Sequence, residues 1–463
     1  MTKLLRRDKS EVKVDVQMPG SRLAQLAPTP TTVKETGLTL SFLGELVAKH
    51  LHDGGVLSLG ALCARLALTG KVLTEILQFL RAEARIEVLG GAGKEAASLR
   101  YNLTDRGRQA AIDSLSRSGY VGPAPIPLHI YNSVVRTQTI HQGAVSRDEM
   151  KNAFSDVVVR DSVLDQLGAS MNSGRAVFIY GHAGTGKTYI TQRLSRLFHD
   201  EVLIPHAIAV NDSVIAVFDP VLHKKLDRDS LKLSDDLVFS ERYDERWVPC
   251  ERPVLISGGE LTGDMLEIQL EPLVKEYRAP LQLKANNGIF IIDDMGRQRV
   301  SPEEVFNRWI VPLEEKLDYL SLGSGRHFSV PFDLVLVFST NLNPTDLADE
   351  AFLRRIGFKI RFDPLNVDEY HSIWKEQCAK DGIVCPPGVF DFVVDELHRR
   401  NSTPLLPCHP RDLLGMATDY LDYNGKPRML SNESMSWAWD NYFVSLRQPS
   451  DPTTIEPQVN LND

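Results

Sequence analysis

No apolar run in this chain reaches the ~18 residues that a helix needs to cross a bilayer, so membrane insertion is not expected. Cysteine is scarce, with five among 463 residues: Cys63, Cys250, Cys378, Cys385 and Cys408. An odd, scattered set of this kind excludes a disulfide framework. No CxxC pair occurs, which argues against a structural zinc site, and the closest two, Cys378 and Cys385, read as plain thiols. Positive charge is not in excess: 52 Lys and Arg stand against 61 Asp and Glu, a net charge of -9. A surface repelled overall by phosphate backbone is unsuited to non-specific nucleic-acid binding, although a local basic face stays open. The first residues, MTKLLRRDKSEVKVD, carry charge where a secretory signal would carry an apolar stretch, so none is expected. A reducing cytoplasm is the compartment these features fit, and no internal repeat is present.

What remains is ordinary globular composition, 43% hydrophobic and 24% charged, in a chain long enough for two or three domains. Residues 1–36 are polar and broken by Pro and Gly, and are expected to be disordered. From 37 to 118 a small α+β domain is expected. Leu40, Leu43, Val47 and Leu51 form one helical face that Asp53-Gly54-Gly55 terminates. SLGALCARLAL gives a second helix. A third follows Thr69, with Val72, Leu73, Ile76, Leu77 and Leu80 as its buried stripe. Two strands around a Gly-rich turn and a helix from Thr104 complete the order of a winged helix. Residues 119–150, with the Pro-rich GPAPIPL, read as a stiff linker. From 151 to 362 apolar runs alternate with helical patterns, which predicts an α/β domain with a parallel sheet. Residues 363–446 read as helical and 447–463 as a disordered tail.

The chemistry concentrates in the α/β part. GHAGTGKT comprises Gly181, His182, Ala183, Gly184, Thr185, Gly186, Lys187 and Thr188. It follows the apolar run AVFIY and precedes an amphipathic segment carrying Ile190, Leu194, Leu197 and Phe198. Strand, Gly-rich loop and helix in that order describe a phosphate-binding P-loop. The glycines let backbone N–H groups approach phosphate oxygens, Lys187 reaches the β- and γ-phosphates, and the Thr188 hydroxyl ligates Mg2+. GIFIIDD places Asp293 and Asp294 at the end of a buried strand. Asp293 takes the metal-anchoring role. Asp294 stands where a Glu usually polarises the attacking water, and its shorter side chain puts its reach in question.

LVLVFSTN is a second buried strand with a polar tip, Asn341. Here the chain resembles the AAA+ ATPases, over roughly residues 150–446. The resemblance implies ATP and Mg2+ as ligands and an ATP-hydrolysing P-loop NTPase sheet with a helical lid. It also implies a homo-oligomeric ring, with a hexamer as the expected size. It makes Asn341 a sensor that orients water. In DEAFLRRIGFKIRF it makes Arg355, or alternatively Arg354, a finger for the neighbouring subunit's γ-phosphate. In HPRDLL it makes Arg411 the lid's phosphate sensor. The helix SPEEVFNRWIVPLEEKL and the hairpin DYLSLGSGRHFSVPF before the Asn341 strand are similar to the MoxR-like branch, including the chelatase subunits, and the expected activity is chaperone-like, remodelling or assembling a protein partner.

Residues 200–285, including ERWVPCERPVLISGGELTGDMLEI, exceed what a minimal core needs and read either as a substrate-facing insertion or as extra core. The third N-terminal helix exposes Lys71, Thr74, Glu75, Gln78 and Arg81, and the turn carries Lys94 against Glu95. So weakly basic a face favours protein docking or a structural role over DNA. Three functions are therefore expected to compete. They are a ring ATPase acting on a protein, an ATP-controlled and DNA-bound switch with slow hydrolysis, and a scaffold that binds ATP only to assemble.

Overall fold

The computed structural model describes residues 19–90, 99–141, 143–198, 200–226, 243–323 and 325–443. The chain divides into two compact units. The first comprises residues up to 153, 161–180 and 188–360. The second comprises 154–160, 181–187 and 361 onward. The expectations of disorder at 1–18 and 447–463, and the Lys94/Glu95 turn, lie outside the described residues.

The fold is mixed α/β. Its main sheet has five strands in the order Val254–Ser257, Ile289–Ile292, Val335–Thr340, Val177–Gly181, Phe358–Phe362. The first four pair in parallel, in registers that set Ser257 against Ile292, Ile292 against Phe338, and Thr340 against Tyr180. Both faces of such a sheet are covered, which is why these strands read as unbroken apolar runs. Ile289 to Ile292 and Val335 to Phe338 are all buried. Phe178, Phe306, Phe338 and Phe352 pack ring on ring beneath them.

The N-terminal helices form where their caps and stripes predict. Thr39, Ser58 and Thr104 each cap a helix, beginning at Leu40, Leu59 and Asp105. The helix Gly70–Ala82 buries Val72, Leu73, Ile76, Leu77 and Leu80, its expected stripe. Ile86–Leu89 and Arg100–Leu103 pair antiparallel, and Leu57–Ser58 adds a short third strand. This region is not a separate bead. Its core extends to Ala207 and Val214, within the 200–285 stretch.

Two expectations need correction. Residues 119–150 are no linker. Ile126–Pro127 is a strand of a second five-stranded sheet, and Leu128–Thr137 is a helix that buries Tyr131, Val134 and Val135. The prolines masked an amphipathic i, i+3, i+4 pattern that begins immediately after them. Residues 19–36 are ordered, with helices at Pro19–Leu26 and Val33–Thr36 and with Leu23, Ala27 and Val33 buried. A few apolar residues suffice there because a prebuilt surface receives them. Of the two readings open for 200–285, extra core fits much of the described chain, although Val221 and Leu273 are exposed. Strands Ala207–Val210 and Ser213–Ala216 enter the second sheet, and Glu201–Pro205 pairs with Trp247–Glu251. Their side chains share one apolar cluster with Leu23, Tyr131, Leu320 and Val330.

One buried cation ties these segments together. Arg246 donates to Asp244 through Nε (3.0 Å) and Nη2 (2.7 Å), and both side chains are at most 5% exposed. Its Nη1 donates to the carbonyls of Thr36 (3.0 Å) and Pro125 (3.3 Å). Removing one partner of such a pair leaves a buried charge uncompensated, at a cost of ~3–5 kcal/mol. Arg246→Met is therefore expected to lower the unfolding free energy of the first unit by about that amount. Chemical denaturation checks this, and a loss below ~1 kcal/mol, the range of an exposed pair, would refute it.

Candidate functional site

The strand Val177–Gly181 ends in the glycine loop, and the helix Lys187–Arg193 leaves it. Gly181, Gly184 and Gly186 have φ of 143°, 81° and 83°, a region that side-chain-bearing residues rarely adopt. A Cβ on Gly181 would lie 2.2 Å from the Phe362 carbonyl oxygen, and one on Gly184 would lie 2.6 Å from Cys408 Sγ. The loop curls around its own lysine. Lys187 Nζ donates to the carbonyls of Gly181 and His182, both at 2.8 Å, and Thr185 Oγ1 donates to the same His182 carbonyl. These acceptors hold the ammonium in a buried position inside the loop.

The residue after Lys187 reaches the acids. Thr188 Oγ1 donates to Asp293 Oδ2 at 2.6 Å. Asp293 sits where the Ile289–Ile292 strand ends, and its N–H is held by the Ser257 carbonyl of the neighbouring strand. Asp294 has φ of 49°, and its Oδ1 accepts from Asn341 Nδ2 at 3.1 Å. The parallel register thus brings both strand tips together, acid beside amide. A left-handed non-glycine residue costs on the order of 1–3 kcal/mol and persists only where its surroundings fix it. Gln298 helps to fix it, together with the Met295 N–H bond to the Ser339 carbonyl and the Arg297 N–H bond to the Asp294 carbonyl. Gln298 Nε2 donates to the carbonyls of Asp293 (2.8 Å) and Asp294 (3.1 Å), while its Oε1 accepts from Gly296 N–H. Sequence reading missed Gln298, because a lone Gln four residues past an acid pair carries no pattern. It also missed the Ser257-Gly258-Gly259-Glu260 turn, where the Glu260 carboxylate accepts from Gly258 N–H and Ser257 Oγ.

The two candidate fingers differ. Arg355 is tied back, its Nε to Glu314 and its Nη1 to the Ala351 carbonyl (2.8 Å). Arg354 projects, its side chain 73% exposed and paired with the still more exposed Glu350.

In the second unit, the helix Cys408–Tyr423 starts with its Cys408 against Gly184, three residues before Arg411. Arg411 is exposed and pairs with Asp412. Arg160, which the sequence did not single out, grips the Glu369 carboxylate with Nε and Nη2 and the Pro364 carbonyl with Nη2. That pairing holds the Glu369 carboxyl below its usual range. At the start of the Cys408–Tyr423 helix, His409 is buried side by side with His398, and burial lowers both to about 4. His398 meets the Tyr370 hydroxyl and the Thr403 carbonyl, whereas His409 Nδ1 is buried with no hydrogen-bond partner among the described residues.

On the helix Gly70–Ala82, Lys71, Thr74, Glu75, Gln78 and Arg81 are all exposed, and residues 30–33 touch it at Glu75 and at its N-cap Thr69. Glu75 accepts from Val33 N–H (3.4 Å), and Thr69 donates to the Pro30 carbonyl (3.2 Å). Among the described residues, no helix is long and apolar enough to cross a membrane.

A family described as a domain of unknown function (DUF8689) matches residues 366–441, which lie within the second unit. No curated protein matches the chain. Among solved structures, a mutant form of RuvB from Thermotoga maritima is 13% identical, with 65% of this chain and 71% of that one covered and a TM-score of 0.33. The RuvB Holliday junction branch migration motor of the same organism is 14% identical, covers 64% and 68%, and has a TM-score of 0.32. NtrX from Brucella abortus is 12% identical, covers 68% and 60%, and has a TM-score of 0.38. Likenesses this distant carry no functional argument, which rests instead on the side chains described above.

A histidine whose folded value lies below its unfolded 6.5 stabilises the fold above that pH and ceases to as pH falls toward 4. His409→Phe fills the same aromatic niche without a group that must stay neutral. It is expected to keep or raise the melting temperature at pH 7 and to shrink the loss seen between about pH 6.5 and about pH 4.5. Calorimetry at these pH values checks this, and an unchanged pH dependence would count against it.

Proposed function

We propose that this chain is an AAA+ ATPase that binds ATP with Mg2+ at Gly181–Thr188 and hydrolyses it to remodel or assemble a protein partner. One observation carries the reading. A glycine loop that closes on its own lysine is followed directly by a threonine hydrogen-bonded to the acid at a buried strand tip. The donor set fits its ligands. Phosphate oxygens are better acceptors for Lys187 Nζ than the two loop carbonyls it now uses. A hydroxyl and one carboxylate 2.6 Å apart match Mg2+, which takes few protein oxygens and completes its shell with phosphates and water. Bound there, the ion would neutralise charge building between the β- and γ-phosphates.

The protein's own groups do the rest. The N–H groups of 181–188 and Lys187 position the triphosphate. Asp294, with Asn341 donating to its Oδ1, leaves its other oxygen to accept a proton from the attacking water. Its left-handed backbone re-aims the side chain, which supports that role despite the missing methylene. Arg354, rather than the tethered Arg355, supplies the inter-subunit finger in a ring, of which a hexamer is the form we favour. Arg411, on a helix whose start rests on Gly184, reports the nucleotide to the helical unit. The Leu317–Ser321/His327–Pro331 hairpin supports a MoxR-like branch. The helix–hairpin order of 40–117 supports a winged helix used for protein docking. The weakly basic exposed face of Lys71, Thr74, Glu75, Gln78 and Arg81 disfavours the alternative of a DNA-bound switch, and cytoplasmic residence accords with five free thiols.

ATP binding should disappear in Lys187→Ala, whereas Asp294→Asn should still bind and cease to turn over. Arg354→Ala should slow turnover by ~10³-fold or more, and Arg355→Ala should not. Mixing Arg354→Ala with Asp294→Asn chains should restore activity, because each supplies what its neighbour lacks. Nucleotide-binding titration reads the first pair, and steady-state phosphate release reads the rest. Full turnover by an Arg354→Ala protein would remove the finger assignment. Failure of the wild type to bind ATP·Mg2+ would remove the whole reading.

A further inference from the structure

In the second unit, residues 362–366 lead from the end of the strand Phe358–Phe362 into the helix Val367–Asp381. This short connection is pinned at successive residues. The Phe362 carbonyl lies so close to Gly181, the first residue of the glycine loop, that a Cβ there would meet it at 2.2 Å. Arg160 Nη2 donates to the Pro364 carbonyl at 2.7 Å. Leu365 N–H donates to the Leu405 carbonyl at 2.8 Å, and the next residue, Leu406, borders Gly184 together with Cys408. Asn366 caps the helix in a reciprocal box. Its Oδ1 accepts from Glu369 N–H, and the Glu369 carboxylate accepts from Asn366 N–H, each at 2.8 Å. Arg160 grips that same carboxylate, with Nε on Oε1 (2.8 Å) and Nη2 on Oε2 (3.0 Å). One guanidinium thus fixes both a connecting carbonyl and the helix cap. The pair is half-buried, with Glu369 only 19% exposed, so solvent screens it less than a surface ion pair.

We propose that Arg160 and Glu369 are positioning residues that stiffen this connection, hold the start of the Arg411 helix against the occupied glycine loop, and so slow the release of ADP. The proposal rests on the ATPase reading above and adds two residues to it. Neither touches a reacting atom. They act through the Leu365–Leu405 bond and the 405–408 segment, and from there on Arg411. The glycine loop abuts the connection at Phe362 and that segment at Leu406 and Cys408. A loop that uncurls from Lys187 to admit phosphates therefore pushes on it at two places. With the connection stiff, the helix start follows the loop. With it slack, the helix start samples poses in which Arg411 is away from the phosphates, and affinity falls with the fraction of such poses.

The test follows release of a fluorescent ADP analogue, with Mg2+, from the full chain by stopped flow. Glu369→Gln keeps a residue suited to the capping box and removes the charge that Arg160 grips. Arg160→Ala removes the grip and leaves the box. Release should be about tenfold faster in each, the weight of one hydrogen bond to a charged group. The double variant should be no faster than either single one, because both remove the same interaction. Arg160→Lys, which keeps the charge without the fork, should fall between them and the wild type. A purely structural loss would shrink the binding-competent fraction and leave the release rate of the remainder unchanged. Release at the wild-type rate from folded single variants, or effects that multiply in the double variant, would overturn the proposal and leave ATP binding standing. A wild type that binds no nucleotide would remove the ATPase reading and the role of this pair with it.

Discussion

A parallel sheet covered on both faces leaves only its strand ends free for polar chemistry, and this constraint organises the first unit. Ile289–Ile292 and Val335–Thr340 run side by side in strict register, so the residues just past each strand emerge at the same edge. Asp294 and Asn341, 47 residues apart, meet there without either being on a specialised loop. Thr188 meets Asp293 for the same reason, since its helix starts from the strand next to Val335–Thr340. The strands can be wholly apolar because function is confined to their tips.

This division explains what the sequence made legible. Buried strands and capped helices have periodic, redundant signals, so the stripe from Val72 to Leu80, the cap at Thr104 and the acid-tipped strand could be read directly. The glycine loop was legible because its positive-φ positions tolerate almost nothing else. Cooperation between distant segments was not. The helix at 128–137 hid behind a proline run, and the N-terminal stretch looked too polar to order because its apolar partners lie elsewhere in the chain. Gln298 acts through two main-chain carbonyls, which no side-chain pattern announces. The difference between Arg354 and Arg355 is likewise tertiary, resting on Glu314 in a separate helix.

Within the second unit, the same economy appears in a different form. Gly184 and Cys408 are in such close contact that the glycine loop and the start of the Arg411 helix share one van der Waals surface. A change in loop curvature is therefore felt at that helix through packing alone. His409, in the first turn of that helix, is buried against His398, and burial keeps both imidazoles neutral at neutral pH.

Arg246 has an evolutionary corollary. Its guanidinium reads two main-chain carbonyls, Thr36 and Pro125, that flank the helical N-terminal region on either side. That region is thus stitched in at both seams, by contacts that depend on backbone position more than on side-chain identity. It cannot be exchanged by recombination as a free cassette. A homologue that swapped it would have to keep both seams in place or replace the arginine and its aspartate together.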